Sequence, residues 1–391
     1  MIMTTTPLYP PASLGVIGGG QLGRMFIQAA QRMGYRAGVL GEIAEGPGPQ
    51  VAHWSVIGPP DQLAALRAFA AQAQAATVEF ENVSAPALRW LAKRMPVRPG
   101  WPTVWVSQNR FREKTFLSEH GFPLAPWRSV TTLDELQAAV AALGCPTILK
   151  TAASGYDGKG QVRIDEPDQA VSTWSQLGKV ACVAEGWVTF AAEVSVVVAR
   201  GADGEARTFP VALNRHERHI LDASSMPAPI GPIVTQTARD LALSVAQALG
   251  TVGVLTVEFF LGGDGSLLIN EIAPRPHNSG HLTIEAGQSS QFEQQVRALC
   301  GLPLGGSDLA GPAAMVNLLG DLWHSGEPRW DAMLRRDPGV RLHLYGKRTP
   351  APGRKMGHLT VLDPNRETAL ARALDARRLL DDRPALPGKP S

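Results

Sequence analysis

Three cysteines in 391 residues, Cys145, Cys182 and Cys300, are too few and too scattered for a disulfide framework or a cysteine metal site. Such sparse usage fits a reducing, cytoplasmic setting. No run of about 18 apolar residues occurs, so no segment is expected to span a membrane. The opening MIMTTTPLYPPAS has neither a basic n-region nor an apolar h-region, and no signal peptide is expected there. Charge is not gathered in blocks: 37 Lys and Arg stand against 35 Asp and Glu, leaving no electrostatic handle for nucleic acid or a membrane surface. No internal repeat is visible. What the chain does have is 44% apolar residues with only 18% charged, which is enough to fill folded cores. At this length two or three domains are expected.

The most informative stretch runs from Val254 to His281. Two runs rich in β-branched and apolar residues flank Gly262-Gly263-Asp264-Gly265 and predict a β-hairpin. With Asp264-Gly265 as a two-residue turn, the register sets Glu258 directly opposite Glu271, with Cβ atoms about 4.5–5.5 Å apart. Facing carboxylates destabilise a hairpin unless a cation lies between them. Hard oxygen ligands of this kind suit Mg²⁺ or Mn²⁺ with nucleotide phosphates completing the shell. An irregular turn with one Glu in solvent is the alternative. Asn270 stands beside Glu271, and Arg275, His277, Asn278, Ser279 and His281 follow on a loop stiffened by Pro274 and Pro276.

Elsewhere the chain reads as α/β. Leu14 to Ile17 is a short strand, followed at once by Gly18-Gly19-Gly20-Gln21-Leu22-Gly23 and a helical run to Met33. The G-x-G-x-x-G spacing is compatible with a dinucleotide, with another phosphate ligand, or with a tight structural turn alone. A helix over 62–74 and a strand over 76–80 continue a doubly wound pattern. That strand's C-terminal end carries Glu79 and Glu81, one expected to be functional and the other to face water. The Pro- and Trp-rich stretch 95–106 reads as a connector, and 109–120 as a helix. A strand at 147–150 then leads into a glycine-rich loop, 151–161, that could cover phosphates although it lacks P-loop spacing. Lys150 is either a phosphate contact or a plain surface lysine. Glu193 is a charge inside an apolar strand, costly unless it is paired or liganded. The last ninety residues predict a small αβ unit, with strands near 314–318 and 340–344. Its two basic glycine-bearing loops, 345–348 and 353–358, are either anion sites or solvated turns.

Four motifs occur in order: Gly-Gly-Gly-Gln-Leu-Gly-Arg at 18–24, Gly-Tyr-Asp-Gly-Lys-Gly-Gln at 155–161, Asn-Glu-Ile-Ala-Pro-Arg-Pro-His-Asn-Ser-Gly-His at 270–281, and Gly-Arg-Lys-Met-Gly-His at 353–358. Together they closely resemble the N5-carboxyaminoimidazole ribonucleotide synthetase family, from about residue 13 to 375. The resemblance implies an ATP-grasp fold with an N-terminal doubly wound α/β domain (1–108), an ATP-grasp domain (109–302, lid about 146–205) and a small C-terminal domain (303–391). It implies a ligase of purine biosynthesis that uses ATP and bicarbonate, through carboxyphosphate, to carboxylate 5-aminoimidazole ribonucleotide. It further implies a cytoplasmic homodimer whose product passes to a mutase.

The resemblance also distributes roles. Glu258 and Glu271 should hold Mg²⁺, with Asn270 assisting at the nucleotide. Arg110, Lys150 and the loop residues Gly155, Tyr156, Asp157, Gly158, Lys159, Gly160 and Gln161 should lie on the ATP phosphates. Glu185, Gly186, Trp187 and Val188 look like the strand that meets adenine, Glu193 like the ribose acceptor, and His216 like another nucleotide contact. Gly20, Gln21 and Leu22 should cradle the second substrate's phosphate, overriding the dinucleotide reading. Glu79, Tyr156, Asp157 and Asn278 should address the rest of that substrate, and Lys347 and Arg354 its phosphate. Arg275 and His277 are expected to hold bicarbonate and carboxyphosphate, so Arg275, His277, Lys347 and Asp157 form the expected catalytic set. His219 stands where many relatives have glycine, which predicts an altered local loop. Two rival readings are a formate-dependent glycinamide ribonucleotide transformylase and a non-catalytic nucleotide-binding regulator. The transformylase lacks support in the 155–161 and 353–358 motifs; the regulator is at odds with the intact Glu258, Glu271, Lys150 and Lys159.

Overall fold

The computed structural model describes residues 6–153 and 160–381. The loop positions Gly155, Tyr156, Asp157, Gly158 and Lys159, with the contacts expected of them, lie outside the described residues.

The apolar strand Ser13–Ile17 is the inner member of a four-stranded parallel sheet, between Arg36–Gly41 and Ala75–Val78, with Trp54–Ile57 at the edge. A strand buried on both faces reads as a continuous apolar run, and this one does. The edge strand escaped the sequence reading because it is only four residues long and half-buried. The connector also differs from expectation. It holds a helix, Trp101–Ser107, started by Gly100 with Pro102 in its first turn.

A nine-stranded sheet forms the body of the molecule. The hairpin strands Gly253–Leu261 and Leu267–Ala273 lie at one end, next to Ala192–Arg200, Ala212–Glu217 and Ile220–Met226. The C-terminal strands do not form a detached unit, because Ala313–Leu319 pairs directly with Ile220–Met226. The expected basic loop 353–358 is mostly strand: Lys355–Leu362 pairs on both sides, and His358 is fully buried. Its alternating Met356, His358 and Thr360 could have revealed that. A separate antiparallel sheet of four strands carries Thr147–Thr151 and Cys182–Gly186.

The helix Gln291–Cys300 lies between the first sheet and the large one and is buried nearly all round. Gln295 ties the two together. Its Nε2 donates to Thr77 Oγ1 at 2.7 Å and to the Arg98 carbonyl at 3.1 Å, while its Oε1 accepts from the Val254 N–H at 2.6 Å. A buried amide with every partner supplied costs little and fixes one arrangement.

Within the hairpin, Glu258 pairs with Glu271 as expected, but by a different route. Nearer the turn, Phe259 pairs with Ile269 and Leu261 with Leu267, one residue out of step with a two-residue Asp264-Gly265 turn. The step is recovered between Glu258 and Phe259, where the register shifts and Asn270 becomes the extra residue of a bulge. Because of that bulge, the consecutive residues Asn270 and Glu271 both reach the same cleft.

The helix Arg110–Glu119, capped by the Asn109 side chain, presses against this bulge. The Lys114 ammonium donates to the Asn270 carbonyl at 2.9 Å, and the Ile272 N–H donates to Glu113 Oε2 at 3.3 Å. Lys114 and Glu113 are 0% and 2% exposed. Burial raises the Glu113 carboxyl to about 8, against the opposing pull of Lys114 and Arg110. The native state therefore keeps a proton on Glu113 that the unfolded chain releases near its ordinary value. The associated stability is full below the unfolded value and is lost as pH rises through about 8. Glu113→Gln keeps the acceptor but cannot ionise. Urea unfolding at pH 5.5, 6.5 and 7.5 should show the variant gaining on the parent as pH rises, by at most about 1.4 kcal/mol per pH unit. A constant difference would show that Glu113 does not titrate in this range.

Candidate active site

A cleft of about 740 Å³ opens where the first sheet, the four-stranded sheet and the hairpin end of the large sheet meet. Gln21, Leu22, Glu79, Arg110, Lys150, Gln161, Trp187, Glu193, His216, Glu258, Asn270, Glu271, Arg275, His277 and Asn278 all line it. These expected site residues come from segments far apart in the chain. Gly20, Gly160, Glu185, Gly186, Val188, Lys347 and Arg354 are not among its lining residues.

The two facing carboxylates each have a protein cation or donor. Arg110 donates to Glu271 Oε2 at 3.0 Å, and His277 Nε2 lies 2.9 Å from Glu258 Oε1. Burial acts to raise the Glu258 carboxyl, but the facing His277, with His216 and Arg275, outweighs it and holds the group below its ordinary value. Arg110 is likewise pulled two ways: burial opposes its charge, while Glu271 and Glu185 strengthen it and win. Among the described residues no group of three or more His, Cys, Asp or Glu side chains forms a metal cage. Two carboxylates and the Asn270 amide oxygen instead suit a hard divalent ion that draws its remaining ligands from water and phosphate. That donor set fits Mg²⁺.

Beside this pair lies a buried charge cluster. Lys150 Nζ donates to Glu185 Oε2 at 3.0 Å and reaches Asn270 Oδ1 at 3.4 Å, and Lys114 approaches Glu185 Oε1 at 3.5 Å. Burial would raise the Glu185 carboxyl, but the two lysines hold it at about 2. Lys150 is therefore no surface lysine. The Glu185 side chain serves these lysines rather than an adenine ring. The amides of Gly186 and Trp187 are also committed, donating to the carbonyls of Pro126 at 2.8 Å and Pro146 at 3.2 Å. Trp187 keeps an exposed ring, with the Arg163 guanidinium 4.3 Å from its centroid. Glu193, the odd charge in its strand, has a partner on the neighbouring strand: His216 Nδ1 lies 2.7 Å from its Oε2.

The other half of the cleft departs further from expectation. Neither Glu79 nor Glu81 faces water. Glu79 caps the glycine loop, accepting from the Gly20 N–H at 2.5 Å and the Gly23 N–H at 2.8 Å. Gly20 thus already serves a carboxylate, and a phosphate at this loop would depend on Gln21 and Leu22. Glu81 accepts from Arg275 Nε at 2.6 Å and Nη2 at 3.3 Å. Burial raises the Glu81 carboxyl, and Arg275 more than reverses this. So Arg275 and His277, expected to hold bicarbonate, each already face a carboxylate. The Asn278 amide is engaged by Asn317, giving at 3.1 Å and receiving at 2.6 Å. His281 turns inward, with its ring 4.9 Å from that of His358.

From the C-terminal strands, Lys347 donates to the Lys355 carbonyl at 2.6 Å and acts electrostatically on Glu79, while Lys355 itself lines the cleft. Arg354 donates to the Thr349 carbonyl at 2.7 Å and stands outside the lining. The hairpin turn Arg218-His219 has φ of +52° and +64°, so His219 adopts the left-handed backbone that glycine favours. Sequence reasoning missed Glu113, Lys114 and Lys355. For Glu113 the signal was present, since helical spacing sets it on one face with Arg110 and Leu117.

The chain matches three family models in succession: a ribonucleotide synthetase preATP-grasp domain over 12–108, an ATP-grasp domain over 115–292, and a phosphoribosylaminoimidazole carboxylase C-terminal domain over 313–372. It is 43% identical to the N5-carboxyaminoimidazole ribonucleotide synthase of Bacillus subtilis, covering 92% of this chain and 94% of that protein. It is 44% identical to the Brucella melitensis enzyme of the same name, covering 93% and 99%. Among solved structures, an ADP complex of N5-carboxyaminoimidazole ribonucleotide synthetase superposes with a TM-score of 0.89 at 41% identity, over 95% of this chain and 98% of that one. The Aspergillus clavatus enzyme with ADP and 5-aminoimidazole ribonucleotide superposes with a TM-score of 0.88 at 30% identity, over 96% and 100%. With the cleft built from the same ordered motifs, the chain belongs to the N5-carboxyaminoimidazole ribonucleotide synthase family of ATP-grasp ligases.

Proposed function

We infer that this protein carboxylates 5-aminoimidazole ribonucleotide at the expense of ATP, as a ligase of purine biosynthesis. The observation that carries this is the facing Glu258–Glu271 pair, set between a cationic wall and a second wall from the glycine-loop domain, in a chain of this family. Lys150 and Arg110 supply positive charge for the ATP phosphates, and the Glu193–His216 pair sits where ribose hydroxyls would find an acceptor. Glu258, Glu271 and Asn270 would hold Mg²⁺, which when bound neutralises charge on the phosphoryl group in transfer.

Bicarbonate as the carbon source belongs to the same reading. One of its oxygens attacks the γ-phosphorus, ADP departs, and carboxyphosphate remains. The exocyclic amine of the aminoimidazole then takes the carboxyl carbon, losing a proton as phosphate leaves. Arg275 supplies charge on this side, although its Nε and Nη2 are turned to Glu81. Glu81 thereby orients Arg275 and keeps the guanidinium charge partly neutralised until an anion arrives. Asp157 and Tyr156 are assigned to the second substrate, and closure of the glycine-rich loop to the exclusion of water. A homodimer and hand-over of the product to a mutase complete the reading.

ADP release from the purified protein with ATP, Mg²⁺ and bicarbonate should rise strongly on adding 5-aminoimidazole ribonucleotide and stay at background with glycinamide ribonucleotide and formate. The reverse pattern would move the protein to the transformylase reading. Glu271→Ala should lower kcat by about 100-fold or more, as loss of a group acting on the transferring phosphoryl does. Lys150→Met should instead raise KM for ATP by about tenfold and also weaken ADP binding in calorimetry. Unchanged ADP affinity would remove Lys150 from the nucleotide site.

A further inference from the structure

Behind the cleft wall, a run of buried hydrogen bonds leads from His277 into the large sheet. His277 Nδ1 lies 2.9 Å from Ser279 Oγ, and Ser279 Oγ lies 2.8 Å from Ser195 Oγ. Asn214 Nδ2 donates to Ser195 Oγ at 2.9 Å, and Ser224 Oγ donates to Asn214 Oδ1 at 2.8 Å. Ser195 and Ser279 are fully buried, and Asn214 is 6% exposed. None of the three lines the cleft. Strand register explains the run: Ser195 is the direct partner of Glu258 on one side, and Asn214 faces Ser224 on the next pair of strands. A serine and an asparagine buried among valines and alanines need partners, and here each has them.

Proton counting gives the run a direction. The Asn214 amide nitrogen only donates, so the Ser195 oxygen accepts there and its own proton is left free to point at Ser279. The Ser279 hydroxyl then turns its proton to His277 Nδ1. An independent donor points the same way, because the Ser279 backbone N–H also approaches Nδ1, at 3.3 Å. Nδ1 therefore presents a lone pair, and the ring proton sits on Nε2, facing a carboxylate oxygen that only accepts. Flipping the ring by half a turn would put carbon atoms at both contacts.

We propose that Ser195 and Asn214 are positioning residues: they fix the orientation and tautomer of His277, so that its Nε2–H ties Glu258 Oε1 and sets the direction of that carboxylate in the cleft. The loop backbone is held by other means. Gln291 grips His277 at both ends of its peptide, with Oε1 accepting from the N–H at 2.8 Å and Nε2 donating to the carbonyl at 2.7 Å. Asn317 grips Asn278. Removing the Ser195 hydroxyl thus lets the Ser279 hydroxyl, the shorter contact to the ring, turn away from Nδ1, while these two grips stay. Outer-shell partners of a metal-facing carboxylate commonly govern activity by 10- to 100-fold or so. The effect on turnover rests on the metal role given above to Glu258, whereas the ring geometry does not.

The test reads the ring directly. Full-length protein labelled with ¹⁵N-histidine is examined without ligand by long-range ¹H–¹⁵N correlation, with His277→Gln identifying the signal. The parent should show a lone-pair Nδ1 and a protonated Nε2. In Ser195→Ala the two nitrogens should move toward an average, kcat should fall about tenfold with KM for ATP changed less than about twofold, and Ser195→Thr should restore both signal and kcat. If Ser195→Ala does not fold, Asn214→Asp, equal in size but unable to donate, should produce the same averaging. A parent ring protonated on Nδ1 overturns the proposal whatever the variants do. So does a folded Ser195→Ala whose ring signal and kcat both match the parent. A protein with the expected ring signature but no turnover overturns the reaction above and leaves the relay standing.

Discussion

Two like charges held face to face set the terms for everything around them. Glu258 and Glu271 sit opposite each other across a hairpin, one of them 8% exposed, and neither could be tolerated there alone. The surroundings answer with donors from two directions, Arg110 from a helix N-terminus and His277 from the loop after the hairpin, while the Lys150–Lys114 pair holds the neighbouring Asn270. Each of these needs support in turn. Glu185 balances the two lysines, and the Ser195–Asn214 run orients the histidine. The site is less a pocket with residues added than a charge imbalance that the fold is arranged to contain.

The same logic explains why so many groups meant for ligands are already paired. Glu79 lies on the amides of the glycine loop, and Glu81 on Arg275. A buried cation or a set of inward amides cannot wait for an anion without cost, so the chain supplies carboxylates of its own. An arriving phosphate or carboxylate would compete with those internal anions rather than fill bare charge. Weak anions would then be held poorly, a form of selectivity by exchange.

Much of this was legible in the sequence, for reasons that differ by residue. Glu258 and Glu271 could be paired because strand register has a period of two and like charges opposite each other demand a reason. The α/β opening and the buried first strand could be read from apolar continuity. The bulge at Asn270 could not, because an extra residue in a strand leaves no mark in composition. Nor could the Glu81–Arg275 pair, whose members lie on loops that follow strands of separate sheets and meet only through tertiary packing. Glu113 and Lys114 went unnoticed for a third reason: two adjacent charges on a helix ordinarily mean a solvated face, and here they are among its most buried residues. The first half of the strand Lys355–Leu362 was taken for a loop because the glycines and cations there outweighed the alternation that follows.

The bulge at Asn270 also bears on how this hairpin can change over evolutionary time. Toward the turn, strand pairs run in one register; beyond the bulge they run in another, and the carboxylate pair belongs to the second. A one-residue insertion or deletion in 262–266 would ordinarily exchange the two faces of both strands. Here the bulge separates the turn from the site, so a length change in the loop can be absorbed by gaining or losing that single extra residue. The site is counted from the sheet side and not from the turn, which leaves the turn open to drift while the carboxylates keep their address.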